Sequence, residues 1–267
     1  MLTLFPQYRL GLGISWLLTA AVAGFMIRSG AAWYWPLAVV LICGFAALAL
    51  AELGAASQHQ KLLLILYQKG DPRTFIQKYE PLLKQRCSSA SRALTLRAYL
   101  SNAYLAMGDC AKARRLLDDA PTVNGREADN AAALLAGNRC SIFLQIGDAA
   151  GAIEQLELLR RYQGNPNVKK ELTENIPLLQ VRCDLLSGSV HDTDLLEQAV
   201  REAVSPLRKA DNTLVLAQTQ LAQRHKGTAR KTLEPVLDGN PDLWAVRQAR
   251  RLKAELDGIP GEKPEKQ

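Results

Sequence analysis

The sequence has few of the side chains that most often carry out enzyme chemistry. It contains three histidines in 267 residues, and none lies in an HExxH motif or beside a GxSxG motif. Five cysteines occur, and they form neither a C-x-x-C pair nor a mixed cysteine–histidine zinc pattern. We therefore predict that the protein is not an enzyme and has no catalytic residues, no metal site and no cofactor.

The cysteines and the charges also limit the possible compartment and partners. Cysteines that are scattered and odd in number suit a reducing compartment, where they serve as small buried apolar residues. The 33 basic and 26 acidic residues are interspersed, and aromatic residues are sparse after Tyr104. Nucleic-acid interfaces usually cluster basic and aromatic residues, and base-reading helical repeats need a periodic polar code that is not visible here. The sequence thus predicts no nucleic-acid partner.

Charge is almost absent from the first 51 residues, where Arg9 and Arg28 are the charged side chains. They leave uncharged runs at 10–27 and 29–51, of 18 and 23 residues. A helix needs about 18–20 predominantly apolar residues to cross a bilayer. We therefore predict a two-span transmembrane anchor over residues 1–52, which contacts the lipid bilayer through residues 10–27 and 31–51.

The connection between the two runs is too short for a domain, so the runs are expected to form a helical hairpin. Trp33, Tyr34 and Trp35 lie at its turn, where aromatic rings favour the headgroup layer. Basic residues flank the first run at Arg9 and follow the second from Lys61 onward, and the positive-inside rule places both termini in the cytoplasm. The prediction is a multi-pass protein of the cell membrane.

A cleaved signal peptide is the alternative for the first run, but the segment before it has one basic residue and a second full run follows. Neither run contains a charge, which favours an anchor over a transporter. Gly11, Gly13, Ala20, Ala21 and Gly24 of the first run are small residues that would let the two helices approach closely. Ordinary membrane composition explains them equally well.

From residue 57 the sequence is typical of successive helices, because apolar residues recur at spacings of three and four and no stretch alternates as a strand does. Glycine–aspartate pairs recur at 70–71, 108–109 and 147–148, at intervals of 38 and 39 residues, and Gly188 follows 41 residues later. A fixed period of this length indicates a stacked repeat.

The same residue types occupy equivalent positions in these units. An aromatic residue precedes the glycine–aspartate turn, and a small alanine and then a leucine follow it. The pattern resembles the tetratricopeptide repeat over about residues 89–166, and more loosely at 57–86, where Phe75 replaces the alanine, and at 168–257. The residues that define it are Tyr104, Gly108, Ala113, Phe143, Gly147, Ala152 and, without a preceding glycine–aspartate turn, Ala229.

The predicted fold is therefore all-α: a transmembrane helical hairpin, then a cytoplasmic repeat domain at 53–257 and a disordered tail at 258–267. The repeat domain is an α-solenoid of about five helical hairpins. The interval AELGAASQHQ lacks proline and can continue the second span as a helix. Pro177 and Pro206 are expected to kink or break helices. The predicted hairpins lie at 57–86, 89–120, 128–163, 168–208 and 212–238, with a last helix at 241–257.

The resemblance implies an elongated groove, lined by the first helix of each hairpin, that binds a peptide or protein. Asn102 and Asn138 match the groove asparagines with which related repeats hold a peptide backbone or a terminal carboxylate, and an amide can both donate and accept the hydrogen bonds of a backbone. Ala98 and Leu134 stand where the basic residues of a carboxylate grip would be. The alternative interpretation of the two asparagines is that they merely face solvent.

Two functions remain open at this point. The first is a bacterial-type membrane-tethered adaptor that recruits an unknown cytoplasmic protein or peptide through the groove. The second is a structural scaffold in which copies of the chain self-associate as a homo-oligomer. Both require an apolar groove with polar edges, so the sequence does not separate them.

Overall fold

The computed structural model describes residues 5–85, 87, 89–189 and 193–258, and it is helical throughout, with no strand in those residues. The predicted all-α class is confirmed. Short 3-10 helices occupy Glu80–Lys84 and Gly125–Glu127. The α-helices of the described residues are α1 (Pro6–Arg28), α2 (Tyr34–Tyr67), α3 (Pro72–Tyr79), α4 (Ala90–Ala106), α5 (Cys110–Asp118), α6 (Ala128–Ile146), α7 (Ala149–Arg160), α8 (Pro166–Leu186), α9 (Asp194–Glu202), α10 (Pro206–Ala222), α11 (Lys226–Leu237) and α12 (Trp244–Leu256).

Internal contacts divide the chain into two compact units. The first unit comprises Met1–Leu63 and Lys84–Ser88, and so contains α1 and most of α2. The second comprises Leu64–Leu83 and Ser89–Gln267, and contains α3 to α12. Of the tail predicted at 258–267, residues 259–267 lie outside the described residues.

Helices α1 and α2 are both long and apolar enough to cross a membrane. Their apolar side chains are largely exposed, and Phe25 and Leu50 show about 73% and 69% of their surface. The core helix of a water-soluble protein would instead bury such side chains against its neighbours. The interval AELGAASQHQ is helical, as the sequence allowed, because α2 continues to Tyr67.

Two aromatic side chains of α1 meet glycines of α2. The Trp16 ring lies against Gly44 and the Tyr8 ring lies against Gly54, so closely that a methyl group at either glycine would fall within 2.6 Å of a ring carbon. The order of the two contacts shows that the helices run antiparallel. The expectation that glycines of α1 mediate this approach is wrong. A side-chain carbon at Gly11 or Gly13 would have no neighbour within 4 Å in the described chain outside α1's own backbone.

In the second unit α4 pairs with α5, α6 with α7 and α10 with α11. Helix α3 packs on α4, α8 on α7, α9 on α10, and α12 on α10 and α11. The boundary between the fourth and fifth predicted hairpins was misplaced. Pro206 begins α10 instead of kinking a longer helix, because a residue in the first turn of a helix needs no backbone N–H donor. Pro177 lies inside α8.

The periodic glycine–aspartate pairs form the turns between paired helices. Gly108 and Gly147 adopt φ of 85° and 82°, the left-handed region that favours glycine. The aspartate that follows each glycine then caps the next helix. Its carboxylate accepts a backbone N–H three residues on: Asp109 from Lys112 at 3.0 Å, and Asp148 from Gly151 at 2.9 Å.

The alanine that follows each turn lets the second helix approach the first. Ala113, Ala152 and Ala229 are fully buried. The backbone carbonyls of the first two are also hydrogen-bonded across the helix pair. Ser101 Oγ of α4 donates to Ala113 O at 2.9 Å, and Cys140 Sγ of α6 donates to Ala152 O at 3.5 Å. The first helix of both pairs therefore has a hydrogen-bond donor at the equivalent position.

Between α10 and α11 the same turn occurs without a glycine. Arg224 takes the left-handed position with φ of 67°. The backbone N–H of His225 then bonds to Gln220 O at 2.8 Å, as Asp109 N bonds to Tyr104 O and Asp148 N bonds to Phe143 O at 2.9 Å. The backbone turn is therefore preserved where the glycine–aspartate pattern of the sequence is lost.

Candidate binding cavity

Helices α4, α6, α8 and α10 of the second unit line a common interior space. Two adjacent cavities of about 500 and 550 Å³ occupy it. The first cavity is lined by residues from α2, α4, α6, α8, α10 and α12, while the second is lined mainly by α6, α8 and α10. We refer to the two together as the central cavity. Both have in their walls Asn102, Ser141, Arg182, Arg208, Asp211 and Val215.

The two ends of the second unit contact each other beside the first cavity, which Trp244 lines. The Trp244 ring packs over the turn glycine Gly108, and Arg247 Nη2 donates to Met107 O at 2.6 Å. Asn240 Nδ2 donates to the carbonyl of the earlier turn glycine, Gly70, at 2.8 Å. We call this set of contacts the clasp. It brings the segment that leads into α12, and the start of α12, against the turns at Gly70 and Gly108.

A second set of bonds strengthens the clasp at its edge. Arg73 Nη2 and Asp242 Oδ1 form an ion pair at 2.9 Å, which is exposed on the arginine side. The Ser205 hydroxyl donates to the backbone carbonyl of Tyr67 at the end of α2. The clasp therefore joins the start of α10 and the segment that leads into α12 to the first two turns of the second unit.

The second cavity is predominantly apolar. Its walls combine leucine and valine side chains from α6, α7, α8 and α9, most of which are only partly buried. A pocket that is lined by aliphatic side chains and has a few convergent polar groups is the usual form of a ligand site. The aliphatic lining includes Leu134, Leu159, Val168, Leu172, Leu179 and Leu196.

Five asparagines from four helices border this apolar wall. The side-chain amide of each asparagine forms a hydrogen bond within the protein. For example, Asn175 Nδ2 donates to Glu171 O at 2.8 Å, and Asn212 Nδ2 donates to Ala199 O at 3.3 Å. These bonds fix the amide planes and leave further donor and acceptor capacity on each side chain. The five are Asn102, Asn130, Asn138, Asn175 and Asn212.

The structure brings both predicted site residues to this cavity. Asn102 is half-buried in the wall of both cavities, and its Nδ2 donates to the Tyr67 hydroxyl at 3.3 Å. Asn138 lines only the second cavity and is 7% exposed, with Nδ2 bonded to Leu134 O of its own helix at 3.0 Å. The alternative of two solvent-facing side chains therefore does not describe Asn138.

Two arginines and an aspartate at the overlap of the cavities were missed by the sequence reasoning. Arg182 of α8 and Arg208 of α10 make no hydrogen bond or ion pair with another residue in the described part of the chain. Asp211 lies one turn after Arg208 on α10. Burial raises the pKa of the Asp211 carboxyl group, and the nearby charge of Arg182 opposes this rise.

Tertiary packing explains why these cations were not predicted. The family resemblance placed basic residues at positions 98 and 134, where Ala98 is buried and Leu134 lines the apolar wall. The positively charged side chains of the cavity wall are instead Arg182 of α8 and Arg208 of α10, which lie in the part of the chain where the resemblance is loose. Arg208 is exposed and Arg182 is half-buried, and both lie on amphipathic helices. The sequence of such a helix does not show whether an arginine faces a cavity or the outer surface.

The described residues contain no group of three or more histidine, cysteine, aspartate or glutamate side chains placed to hold a metal ion. Cys140 and Cys183 are fully buried, and the neighbouring Cys183 thiol and burial raise the pKa of Cys140. A thiol that stays protonated in an apolar core is a poor nucleophile. The side chains that line the central cavity include amides, guanidinium groups and aliphatic groups.

Comparison with known proteins yields no match to a family model, a curated protein or a solved structure.

Proposed function

We propose that this protein is a membrane-anchored adaptor that binds a segment of a cytoplasmic partner protein in the central cavity. The observation that carries the proposal is the cavity wall, in which asparagine amides from four helices border an aliphatic surface. Amides satisfy both the N–H and the C=O groups of an extended backbone, while the aliphatic surface receives side chains.

The resemblance of the second unit to tetratricopeptide repeats supports this proposal. Capped glycine–aspartate turns recur at a period of 38 and 39 residues, and a buried alanine lies at the same place after each of two of them. Stacked helical hairpins use their concave side to bind peptides and proteins. Helices α4, α6 and α10, each the first of a contacting pair, line the central cavity, which supports its assignment to that side.

The exposed apolar surfaces of α1 and α2 support the anchor. Side chains such as Leu17 and Phe25 would be unfavourable in water but suit a hydrocarbon environment. With the basic residues concentrated outside the short connection between α1 and α2, we propose that both termini and the second unit face the cytoplasm. An anchor of this kind raises the local concentration of a bound partner at the membrane.

The proposal is tested by affinity capture with the full chain in membranes. Asn102→Ala combined with Asn138→Ala is compared with Asn124→Ala combined with Asn167→Ala, a control that removes two exposed amides outside the cavity. We expect a discrete partner to bind the wild-type and the control and to be reduced at least about tenfold in the cavity variant. Thermal melting of each variant reports whether the fold is retained.

Two other results would count against the adaptor. A partner that binds all three proteins equally would place recognition outside the central cavity. Recovery of the chain alone, at a mass that corresponds to more than one copy, would favour the self-associating scaffold. Exposed apolar side chains on the outer helix α7, Ile153 and Leu158, are the first candidates for contacts between copies.

A further inference from the structure

A smaller cavity lies apart from the central cavity, between helices α5, α6 and α7. Its volume is about 220 Å³, below the range of about 300–1,000 Å³ that is usual for a small-molecule site, and it shares no lining residue with the central cavity. A space of this size suits one anchoring side chain of a partner. We call it the side pocket, and it is lined by Arg114, Asp118, Arg139, Ile142, Phe143 and Gln155.

Two arginines of the side pocket converge on one carboxylate. Arg114 Nε lies 3.6 Å from Asp118 Oδ2, and Arg139 Nη2 lies 3.3 Å from Asp118 Oδ1. The two guanidinium groups come from α5 and α6, and they reach the two oxygens of a single carboxylate. The pocket wall has one more positive than negative charge, and the other N–H groups of both arginines can bind a further acceptor.

The ion pairs of Asp118 are weak enough for a second carboxylate to join or replace them. The side chains of Arg114, Arg139 and Asp118 are all exposed. Exposed pairs contribute little to stability, because water screens the charges and two long side chains must be ordered. Asp118 therefore marks a position at which these arginines bind a carboxylate, and it does not block the position for an external one.

Gln155 of α7 is a second, independent feature of the side pocket. Its side chain is only 8% exposed, and its side-chain amide makes no hydrogen bond within the described part of the chain. A buried amide without a partner is unfavourable, so a group from outside the chain is expected to satisfy it. A carboxylate can accept from the Gln155 amide and from a guanidinium group at the same time.

We infer that the side pocket binds an aspartate or glutamate side chain of a partner protein, held by Arg114, Arg139 and Gln155. The excess positive charge of the wall selects an acidic side chain. Ile153 and Leu158 are exposed on α7 within one helical turn of Gln155, and they are available to apolar side chains next to the acidic one. This site lies outside the central cavity, so the inference goes beyond the proposed adaptor function and adds a second surface for a protein.

The test uses the full chain in nanodiscs of zwitterionic lipid and two pools of heptapeptides. Both pools have blocked ends, leucine on each side of the central position and uncharged polar residues elsewhere, and they differ only in glutamate or glutamine at the centre. Because the ends are blocked, any preference for the glutamate pool comes from the side-chain carboxylate. We expect the glutamate pool to be retained at least about tenfold more than the glutamine pool. Equal retention, or retention of neither pool, would overturn the inference.

Variants assign the preference to the side pocket. Arg139→Gln and Gln155→Met should each abolish most of it, whereas Asp118→Asn should raise retention of the glutamate pool about threefold, because it removes a competing carboxylate. Arg115→Gln and Asp119→Asn make the same charge changes at exposed residues of α5 and its end, outside the pocket wall, and should have no effect. Since Arg139 is exposed, Arg139→Gln should melt as the wild-type does, and an unchanged preference in it would overturn the inference even if Gln155→Met is unstable.

Two further results would assign the side pocket to another ligand. Complete displacement of the glutamate pool by an equal concentration of inorganic phosphate would indicate a site for a free oxyanion. A chain that is dimeric in nanodiscs and becomes monomeric on Arg139→Gln would show that a second copy supplies the carboxylate. Either result would overturn the inference. The variant with Asn102→Ala and Asn138→Ala should keep the preference for glutamate, so this inference and the adaptor proposal fail separately.

Discussion

At the residue scale, the second unit depends on single positions that allow the chain to reverse direction. The turn glycines lie in the left-handed region, where a side chain costs about 1–2 kcal/mol in backbone strain. A capping aspartate follows Gly70, Gly108 and Gly147, and its bond to the next helix replaces one of the donors that a helix start leaves unpaired. Arg224 occupies the same kind of turn with a side chain that is poorly suited to it.

Replacement of Arg224 should therefore stabilise the fold. The Arg224 side chain is exposed, so Arg224→Gly removes backbone strain without loss of a buried contact. We expect a gain of about 0.5–1 kcal/mol in the free energy of unfolding, because glycine's greater freedom in the unfolded chain offsets part of the relief. A thermal melt followed by circular dichroism measures the change.

The control for this prediction is Gly147→Ala. A methyl group there meets no described neighbour within 4 Å, so only the positive φ of 82° resists it, and a loss of about 1 kcal/mol is expected. A lower melting temperature for Arg224→Gly than for the wild-type would contradict the strain argument.

At the scale of elements, α12 contacts a part of the chain that is distant in sequence. Trp244 and Arg247 lie at its start and contact the turn between α4 and α5, more than a hundred residues earlier. Arg247 also donates to the carbonyls of Pro241 and Asp242, so the same side chain fixes the approach to its own helix. The contact between the two ends of the second unit thus depends on a few side chains.

Removal of these contacts should open the clasp without unfolding the helix pairs. For Trp244→Ala combined with Arg247→Ala we expect a loss of about 2 kcal/mol of local stability. Hydrogen–deuterium exchange should then rise in peptides that cover the turns at Gly70 and Gly108 and stay unchanged in the turn at Gly147.

Arg251→Ala is the matched control for the clasp, since Arg251 pairs with Glu255 inside α12 and takes no part in the clasp. It should leave exchange at both clasp turns unchanged. If exchange rose equally across all the helix pairs of the double variant, the contacts would support the whole fold and not the closure in particular.

At the scale of the whole molecule, the arrangement across the membrane is the property that the proposed function requires. The connection between α1 and α2 carries only Arg28 near it, whereas basic residues are frequent from Lys61 onward. Positive charge is retained on the cytoplasmic side, so the connection is expected to face outward and the second unit inward.

A cysteine at position 31 tests this arrangement. In intact cells a membrane-impermeant maleimide should label Ala31→Cys, which lies in the connection, and should leave Cys87 unlabelled until the cells are lysed. Cys43 is replaced by serine to remove the background from α2. Labelling of Cys87 in intact cells would reverse the proposed orientation.

The sequence by itself determined the local structure of this protein. Uncharged runs marked α1 and α2, because length and apolarity alone make a helix able to span a bilayer. The glycine–aspartate pairs marked the turns, because the left-handed backbone and the capping carboxylate are local requirements of each turn. The turn at Arg224 escaped detection because tertiary packing imposes the same backbone on a residue that does not favour it.

The tertiary structure decided the site. Asn102 and Asn138 were placed at a groove by their position in a repeat, and they do line the central cavity. Arg182 and Arg208 line the same cavities from different helices, and Trp244 contacts a turn more than a hundred residues earlier. These arrangements depend on packing between segments distant in the chain, so no single segment of the sequence encodes them.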